Sequence, residues 1–170
     1  TGLAVDYVNI AAGLLNLKIE WVQMTGLGTQ VEALKQGHYD VVANDSPYVF
    51  TMINFVDFSN PVYYFPVHAY VRVNDKRFKK LNDLNSSKVT FVGIDGDLSV
   101  DLVARMYPKA VLATLPASTD PGQMMMNVKT KKADIAILDP GSIDTFNKNN
   151  VPGLVAFAPQ TPVAVYPIGF

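Results

Sequence analysis

Two aspartates, Asp45 and Asp139, occupy the same place in two similar stretches of the sequence. In residues 35–45 and 129–139 a helical pattern ends, one aspartate comes next, four residues follow it, and a second aspartate stands close before a proline. Ligands of open α/β sheets bind at the carboxyl ends of the strands, so this spacing predicts one such carboxylate in each half of the chain. A facing pair can attract a cation or act in acid–base catalysis, and either aspartate can also cap a helix or turn.

The sequence offers few other groups for catalysis or metal binding. There is no cysteine, which excludes disulfides, thiolate ligands and cysteine nucleophiles. The only histidines, His38 and His68, fall in a predicted helix-to-strand turn and in an extended segment, and neither is expected to be catalytic. The chain has no serine-hydrolase elbow, phosphate-binding loop or metal-spaced His/Glu set. We therefore expect no metal and no cofactor.

The charge balance also limits the partners. The 14 basic and 15 acidic residues give a net charge of −1, which favours neither nucleic acid nor an anionic membrane. The local cluster Lys129, Lys131 and Lys132 is interpreted as a helix end, where cations complement the helix dipole. No apolar run approaches the ~20 residues that a membrane span needs.

The elements that must position the aspartates alternate between helix and strand in two blocks, residues 1–72 and 75–163. In the first block, Val8, Ala11, Ala12 and Leu15 form a helical face that Asn16 can end. Short strands are predicted over 18–24 and 40–43, with a helix between them that Gly37 stops. An aromatic, proline-containing extended segment over 56–73 leads to the second block.

The second block alternates more regularly. Strands are predicted over 88–94, 111–115 and 134–138, and helices over 98–106, from Pro121 to about Lys129, and from Pro140 onward. Asp97 or Ser99 is expected to cap the first of these helices and Asp120 the second. Strands over 154–157 and 163–170 complete the block, and the last one is expected to return to the first block.

Several motifs, in order along the whole chain, resemble the extracellular solute-binding proteins of family 3, which are usually amino-acid receptors of ABC transporters. They are Gly2-Leu3-Ala4-Val5-Asp6, Leu34-Lys35-Gln36-Gly37-His38-Tyr39-Asp40, Val56-Asp57-Phe58-Ser59-Asn60-Pro61-Val62-Tyr63, Leu81-Asn82-Asp83-Leu84 with Val89 to Gly96, and Lys131-Lys132-Ala133-Asp134-Ile135-Ala136-Ile137-Leu138-Asp139. Each motif is weak alone, and their common order and spacing carry the resemblance.

The resemblance implies an α/β, two-lobed type II periplasmic-binding-protein fold, in which each lobe is a mostly parallel sheet flanked by helices. Residues 1–72 would form lobe 1, without the family's first strand and last helix, 73–165 lobe 2, and 166–170 a returning hinge strand. It implies a monomeric, non-enzymatic protein in the periplasm or outside the cell, exported and either lipid-anchored or part of a membrane receptor. Its partners would be a small-molecule ligand and a membrane permease or receptor, with no nucleic acid.

The residues that match the family's ligand site depart from its pattern. They are Leu27, Asn44, Asp45, Ser46, Met52, Asp97, Leu98, Ser99 and Asp139. Met52 stands where the family has the arginine that clamps the ligand carboxylate, whereas the acid that binds the ligand ammonium is retained as Asp139. Asp97 and Leu98 replace small hydroxylated residues, and Leu27 replaces an aromatic one. Because buried carboxylates without an arginine repel an anion, we expect a cationic or neutral ligand without an α-carboxylate.

Three alternatives remain open at this level. The same module occurs as the sensing domain of membrane receptor kinases, and some proteins of this fold are dehydratases. The missing arginine also leaves room for a lobe that has lost its ligand and only packs against partners. A carboxylate-bearing dehydratase substrate fits poorly with Met52 at the clamp position.

Overall fold

The computed structural model describes residues 2–23, 30–43, 46–47, 54–149 and 153–170. They fall into two compact units. Unit 1 comprises Thr1–Phe65 with Tyr166–Phe170, and unit 2 comprises Pro66–Val165. Two strands, β2 (Tyr63–Arg72) and β7 (Ala164–Gly169), run from one unit into the other.

Unit 1 contains two helices that end in the same way. Helix α1 (Leu3–Leu14) ends at Asn16, which adopts a left-handed φ of 54°, and the Leu17 N–H donates back to the Ala12 carbonyl at 2.9 Å. Helix α2 (Gln30–Lys35) ends at Gly37, with φ 69°, and the His38 N–H donates to the Ala33 carbonyl at 2.9 Å. These bonds satisfy carbonyls that a helix end otherwise leaves unpaired. Both predicted stop residues are confirmed.

The strand pairing described in unit 1 is short. Strand β1 (Ser46–Pro47) pairs antiparallel with β7, with Ser46 opposite Gly169. The segment before β2 runs beside the same strand, since the Val62 N–H donates to the Ile168 carbonyl at 2.8 Å. The backbone of Ser59 donates to the Phe170 carbonyl at 2.7 Å, and its hydroxyl accepts from the Phe170 N–H at 3.1 Å.

Two predicted strands of unit 1 are wrong within the described residues, because 18–23 and 40–43 form no strand. A strand buried on both faces needs hydrogen-bonded neighbours, and the described part of unit 1 provides none beside these segments. Trp21 and Val41 are accordingly about half exposed. The predicted face of α1 is shifted too: Ala4 and Ala12 are buried, whereas Leu15 is exposed.

Unit 2 contains five strands of a seven-stranded sheet, in the order β6-β2-β5-β3-β4, and the sheet continues from β2 through β7 to β1. Its strands are β2, β3 (Thr90–Ile94), β4 (Val111–Leu115), β5 (Ile135–Leu138) and β6 (Leu154–Ala156). Strand β3 pairs parallel with β4 and with β5, whereas β2 is antiparallel to both β5 and β6. Three helices connect these strands: α3 (Leu98–Met106), α4 (Pro121–Lys129) and α5 (Pro140–Asn149), and a 3₁₀ turn (Leu81–Leu84) precedes β3.

The helices cover the two faces of the sheet. Val92, Ile94 and Ala136 form one core with residues of α4 and α5, including Met124 and Phe146. On the other face Phe91 stacks on Tyr107, which follows α3, with ring centroids 5.0 Å apart. This alternation along β3 is what a strand buried on both faces requires.

Gly93 lets α3 lie close to β3. A Cβ at this position would stand 2.7 Å from Cγ2 of Val100, much too close for two carbon atoms. The glycine therefore fixes the distance between the helix and the strand, and with it the position of the residues at the start of α3.

Asp134 joins the start of β5 to its surroundings. Its Oδ2 accepts from the Thr90 N–H at 3.0 Å, and its Oδ1 accepts from Arg72 at 3.0 Å and from Arg77 at 2.5 Å. Arg72 also donates to the carbonyls of Val128 and Ala133, at 2.8 and 2.7 Å. One carboxylate and one guanidinium thereby hold the end of β2, the end of α4 and the start of two parallel strands together.

The network lowers the pKa of two carboxyls. The pKa of Asp75 is lowered to about 2, mainly because its carboxylate accepts hydrogen bonds from the Arg77 guanidinium. Burial by itself raises the pKa of Asp134, but the Thr90 N–H and the two arginines outweigh it and leave that pKa below its usual range. The folded state therefore favours both charged carboxylates.

Replacing Asp134 tests the network's contribution to stability. We expect Asp134→Asn to lower the free energy of unfolding by about 1–3 kcal/mol, because the half-buried Arg72 loses one of its two carboxylate partners and keeps only Asp75. The control is Asp101→Asn, which breaks the exposed pair with Arg105 and should cost less than about 0.5 kcal/mol. Urea unfolding followed by far-UV circular dichroism measures both. Equal losses in the two variants would contradict this role of Asp134.

The lowered pKa values also set a pH dependence. The pKa of Asp75 is about 2 in the folded state and about 4 in the unfolded state. Between pH ~2 and ~4 the folded state therefore binds fewer protons than the unfolded state. The network's stabilisation is therefore present above pH ~4 and is lost as pH falls towards ~2. The Arg77→Gln variant should be less stable than the wild type at neutral pH. Its free energy of unfolding should then fall less than that of the wild type between pH ~4 and ~2. Urea unfolding across the window measures this, and parallel curves for the two proteins would refute the assignment.

Candidate functional site

The carboxyl edge of unit 2, where β3, β4 and β5 end, presents an aspartate before each of the three helices. Asp97 precedes α3, Asp120 precedes α4 and Asp139 precedes α5. Because β3 is hydrogen-bonded to both β4 and β5, these strand ends are neighbours. The edge therefore combines three carboxylates with three helix N-termini, whose free N–H groups stabilise nearby negative charge.

Asp97 fixes the junction between β3 and α3. Its Oδ1 accepts from the Ser99 N–H at 2.7 Å, while Gly96 before it adopts a left-handed φ of 81°. Of the two residues expected to cap this helix, Asp97 is the one that does so. The Asp97 side chain itself is exposed, and Leu98 beside it is half-buried.

Ser99 is buried behind this junction. Only 4% of its surface is exposed, and its Oγ has no hydrogen-bond partner among the described residues. The Oγ lies 3.4 Å from the position that a Cβ on Gly93 would take, so the hydroxyl faces β3. Ser99 thus packs against the strand in this structure.

Asp139 fixes the junction between β5 and α5. Its Oδ1 accepts from the Ser142 N–H at 2.8 Å, and its Oδ2 accepts a short hydrogen bond from the Ser142 hydroxyl. The carboxylate is half-buried and is held in one orientation by these two bonds. The capping and the cleft-lining interpretations of Asp139 are thus compatible.

Asp139 borders a groove of about 770 Å³ between α4 and α5. The groove is lined by residues of the first two turns of α4 and by residues along α5, among them Ser142, Thr145, Phe146 and Asn149. Its polar lining consists of carboxylates, amides and hydroxyls, and no basic side chain among the described residues contributes to it. Such a lining is suited to a cationic or neutral polar molecule.

Asp120, whose place in the sequence predicts only a helix cap, is a second carboxylate of this groove. It does cap α4, since its Oδ1 accepts from the Gly122 N–H at 2.7 Å. The signal that was available is a repeated triplet, Asp-Pro-Gly, at 120–122 and 139–141. In both copies the glycine leaves room for the capping carboxylate, because a Cβ would stand within 3.0 Å of an aspartate oxygen.

The carboxylates near this edge also affect the pKa of Tyr70, a buried residue of β2. Burial, and then the charges of Asp139 and Asp144, raise the pKa of Tyr70 to about 12. Within the described ranges, no group of three or more His, Asp and Glu side chains is arranged to hold a metal ion.

Most of the expected site residues of unit 1 lie outside the described residues, whereas those of unit 2 are described. Leu27, Asn44, Asp45 and Met52 lie outside the described residues. The Ser46 backbone belongs to β1, and its side chain is also outside the description. The remaining four residues, Asp97, Leu98, Ser99 and Asp139, lie at the ends of two neighbouring strands, with Asp139 alone among them lining the groove.

Comparison with known families gives one match. The model of the bacterial extracellular solute-binding proteins, family 3, matches residues 1–89, just over half of the chain. Among curated proteins, no sequence matches this chain significantly.

Solved structures of similar fold are numerous. A binding component of an ABC transporter from Wolinella succinogenes DSM 1740, solved with lysine, has a TM-score of 0.79 and 21% identity over 99% of this chain and 71% of its own. The ligand-binding core of GluR0, solved with L-glutamate, has a TM-score of 0.79 and 15% identity over 99% and 74%. An ancestral amino-acid-binding protein, a precursor of cyclohexadienyl dehydratase, has a TM-score of 0.73 and 24% identity over 99% and 69%.

At these identities the structural likeness shows the fold, which is the two-lobed α/β fold of periplasmic binding proteins, with a mostly parallel sheet flanked by helices. The family model covers the half of the sequence that precedes the main part of unit 2's sheet, and the structural likeness covers nearly all of the chain. The chain belongs to the bacterial extracellular solute-binding proteins of family 3.

Proposed function

We propose that this protein binds a small cationic or neutral polar ligand without an α-carboxylate, outside the cytoplasm, and delivers it to an ABC transporter. The ligand would be held between lobe 1 (1–72) and lobe 2 (73–165), which are joined by the extended segment and by the returning strand 166–170. Contacts to both lobes would favour the closed state, which a membrane permease would recognise.

The composition of the carboxyl edge of unit 2 is the observation that carries the proposal. Asp97, Asp120 and Asp139 lie there, and the described part of the chain puts no basic side chain in the lining of the groove beside Asp139. An ammonium group placed at Asp139 would meet a carboxylate already oriented by Ser142. An anion at the same place would be repelled, with no cation to compensate.

The positions of the arginines support the same ligand class. The chain has only three, Arg72, Arg77 and Arg105. Arg72 and Arg77 are bound to Asp75 and Asp134 at the far end of the parallel strands, and Arg105 pairs with Asp101 within α3. With Met52 at the family's clamp position, no arginine remains to form a two-pronged bond with a ligand carboxylate.

Membership of a family of binding proteins favours capture without chemistry over the dehydratase alternative. Proteins of this family are periplasmic or extracellular, which supports the same location for this protein. None of the helices in the described residues is long and apolar enough to cross a membrane. A lipid anchor, a receptor role and a monomeric state stay predictions from the sequence.

Replacing Asp139 tests the ammonium contact. In a thermal-shift panel of amines, quaternary ammonium compounds, neutral heterocycles and amino acids, ligands of the folded state raise the melting temperature by mass action. For the compound that stabilises the wild type most, Asp139→Asn should weaken binding at least tenfold, because a charge-assisted bond is lost. The control is Asp144→Asn, an exposed residue of α5 that does not line the groove. Equal weakening in both variants would contradict a direct contact.

Restoring the arginine tests the ligand class. Met52→Arg should allow amino acids to raise the melting temperature and should weaken binding of amines, because the new guanidinium pairs with a carboxylate and repels a cation. Met52→Leu is the control and should leave the ligand preference unchanged. If the wild type already binds amino acids more tightly than amines, the proposal of a ligand without a carboxylate is refuted.

A further inference from the structure

The basic residues of the chain are concentrated in unit 2. Twelve of the fourteen lysines and arginines belong to it, together with nine of the fifteen acidic residues. The excess of negative charge in unit 1 offsets this surplus, so the net charge of −1 conceals it. Unit 2 is therefore a cationic body within a nearly neutral chain.

These charges gather at the amino edge of unit 2, which we define as the edge where β3, β4 and β5 begin and the antiparallel strand β2 ends. Lys88 comes two residues before β3, Lys109 two residues before β4, and Lys132 three residues before β5. Because the three strands are parallel neighbours, these lysines start from the same edge of the sheet. The carboxyl edge with its three capping aspartates lies at the opposite end of the strands.

The segment after β2 adds four more basic residues to this edge: Lys76, Arg77, Lys79 and Lys80. Arg77 ties the segment to the start of β5 through its bond to Asp134. Phe78 anchors it from below, since this side chain is 8% exposed and packs edge-on against Phe157 with ring centroids 6.0 Å apart. The segment is therefore fixed on the unit, with its lysines outside.

Seven lysines of the amino edge are exposed and form no ion pair with a carboxylate in the described part of the chain. They are Lys76, Lys79, Lys80, Lys88, Lys109, Lys131 and Lys132. The acidic groups of this edge are already engaged. Asp75 and Asp134 bind the arginines, and Asp83 accepts the backbone N–H groups of Lys79 and Lys80 at 2.8 and 3.1 Å. The charges that this edge exposes without a partner, among the described residues, are therefore all positive.

Helix-dipole compensation explains part of this arrangement and leaves the rest unexplained. Helices α3, α4 and α5 run back toward the amino edge, so cations near their last turns, such as Lys129 and Lys131, complement the dipoles. Lys76, Lys79, Lys80 and Lys88 lie in no last helical turn. These four need another reason to stand beside the others.

We propose that the amino edge of unit 2 is a docking surface for an anionic phospholipid membrane. Lysine is a compact charge on a flexible stem, which suits mobile lipid phosphates, and it is depleted in interfaces between proteins. Single-stranded nucleic acid fits less well because it is bound by stacking on exposed aromatic rings, and the aromatic residue of this segment, Phe78, is buried. Docking would hold the protein close to a bilayer while the carboxyl edge stays in solvent, and it does not depend on the nature of the ligand.

Vesicle co-sedimentation of the protein tests the proposal. We expect binding to vesicles of phosphatidylcholine and phosphatidylglycerol in a two-to-one ratio at low salt, no binding to phosphatidylcholine alone, and release at about 1 M salt, where the screening length is only ~3 Å. Each lysine near an anionic surface contributes about a fivefold change in partition. The double variant Lys79→Gln and Lys132→Gln should therefore partition about 25-fold less.

The matched control is Lys18→Gln with Lys35→Gln, which removes the same charge from unit 1 and should keep nearly full binding. Equal losses in the two double variants would show an effect of net charge and overturn the assignment to this edge. Binding to phosphatidylcholine alone, or retention on single-stranded DNA or polyglutamate without binding to the anionic vesicles, would overturn it too. Thermal unfolding verifies that both variants fold, and the salt dependence of the wild type tests the proposal independently of them.

Discussion

Parallel pairing of β3 with β4 and β5 is the constraint on which the arrangement of unit 2 depends. Parallel strands cannot be joined by a tight turn, so each is followed by a helix that crosses back over the sheet. All three helices consequently start at the carboxyl edge and end at the amino edge. The positive ends of the helix dipoles therefore lie at the carboxyl edge and the negative ends at the amino edge. The side-chain charges complement them, with Asp97, Asp120 and Asp139 at the carboxyl edge and lysines at the amino edge.

The same constraint explains why Asp139 can serve two purposes. A carboxylate that caps α5 is held at the edge of the sheet by Ser142, with its orientation fixed before any ligand arrives. A preorganised carboxylate binds a cation at a lower cost in side-chain entropy than a free one. The Asp134 network holds the opposite end of the same strand through Arg72, Arg77 and the Thr90 backbone, so β5 is fixed at both ends.

Elements whose signals are local could be predicted from the sequence. Helix α3 and strand β4 have the predicted bounds, and Asp120 with Pro121 marks the start of α4, because caps and prolines act within one turn. The strands expected over 18–24 and 40–43 depend on distant partners, which a short apolar run cannot reveal, and the described parts of both are not strands. The shift in the buried face of α1 has the same origin, since packing partners decide which of two adjacent apolar faces is covered.

The site and the charge distribution were predictable to different extents. A repeated motif marked Asp139, and the resemblance marked Asp97 to Ser99, but the participation of Asp120 in one groove with Asp139 required the packing of α4 against α5. The cluster Lys129 to Lys132 was interpreted as a helix end. Its place in a larger basic edge became visible only when the topology brought Lys88, Lys109 and the segment after β2 beside it, because a net charge carries no information about position.

Calorimetric titration with matched pairs of ligands would measure whether the site selects against a ligand carboxylate. Lysine, arginine and glutamine would each be compared with the corresponding amide, which keeps the ammonium group and the side chain and replaces only the α-carboxylate by a neutral group. We expect at least one amide to bind, and to bind at least tenfold more tightly than its amino acid, because no arginine is present to offset the burial of the anion. An amino acid that binds more tightly than its own amide would contradict a site that excludes the α-carboxylate.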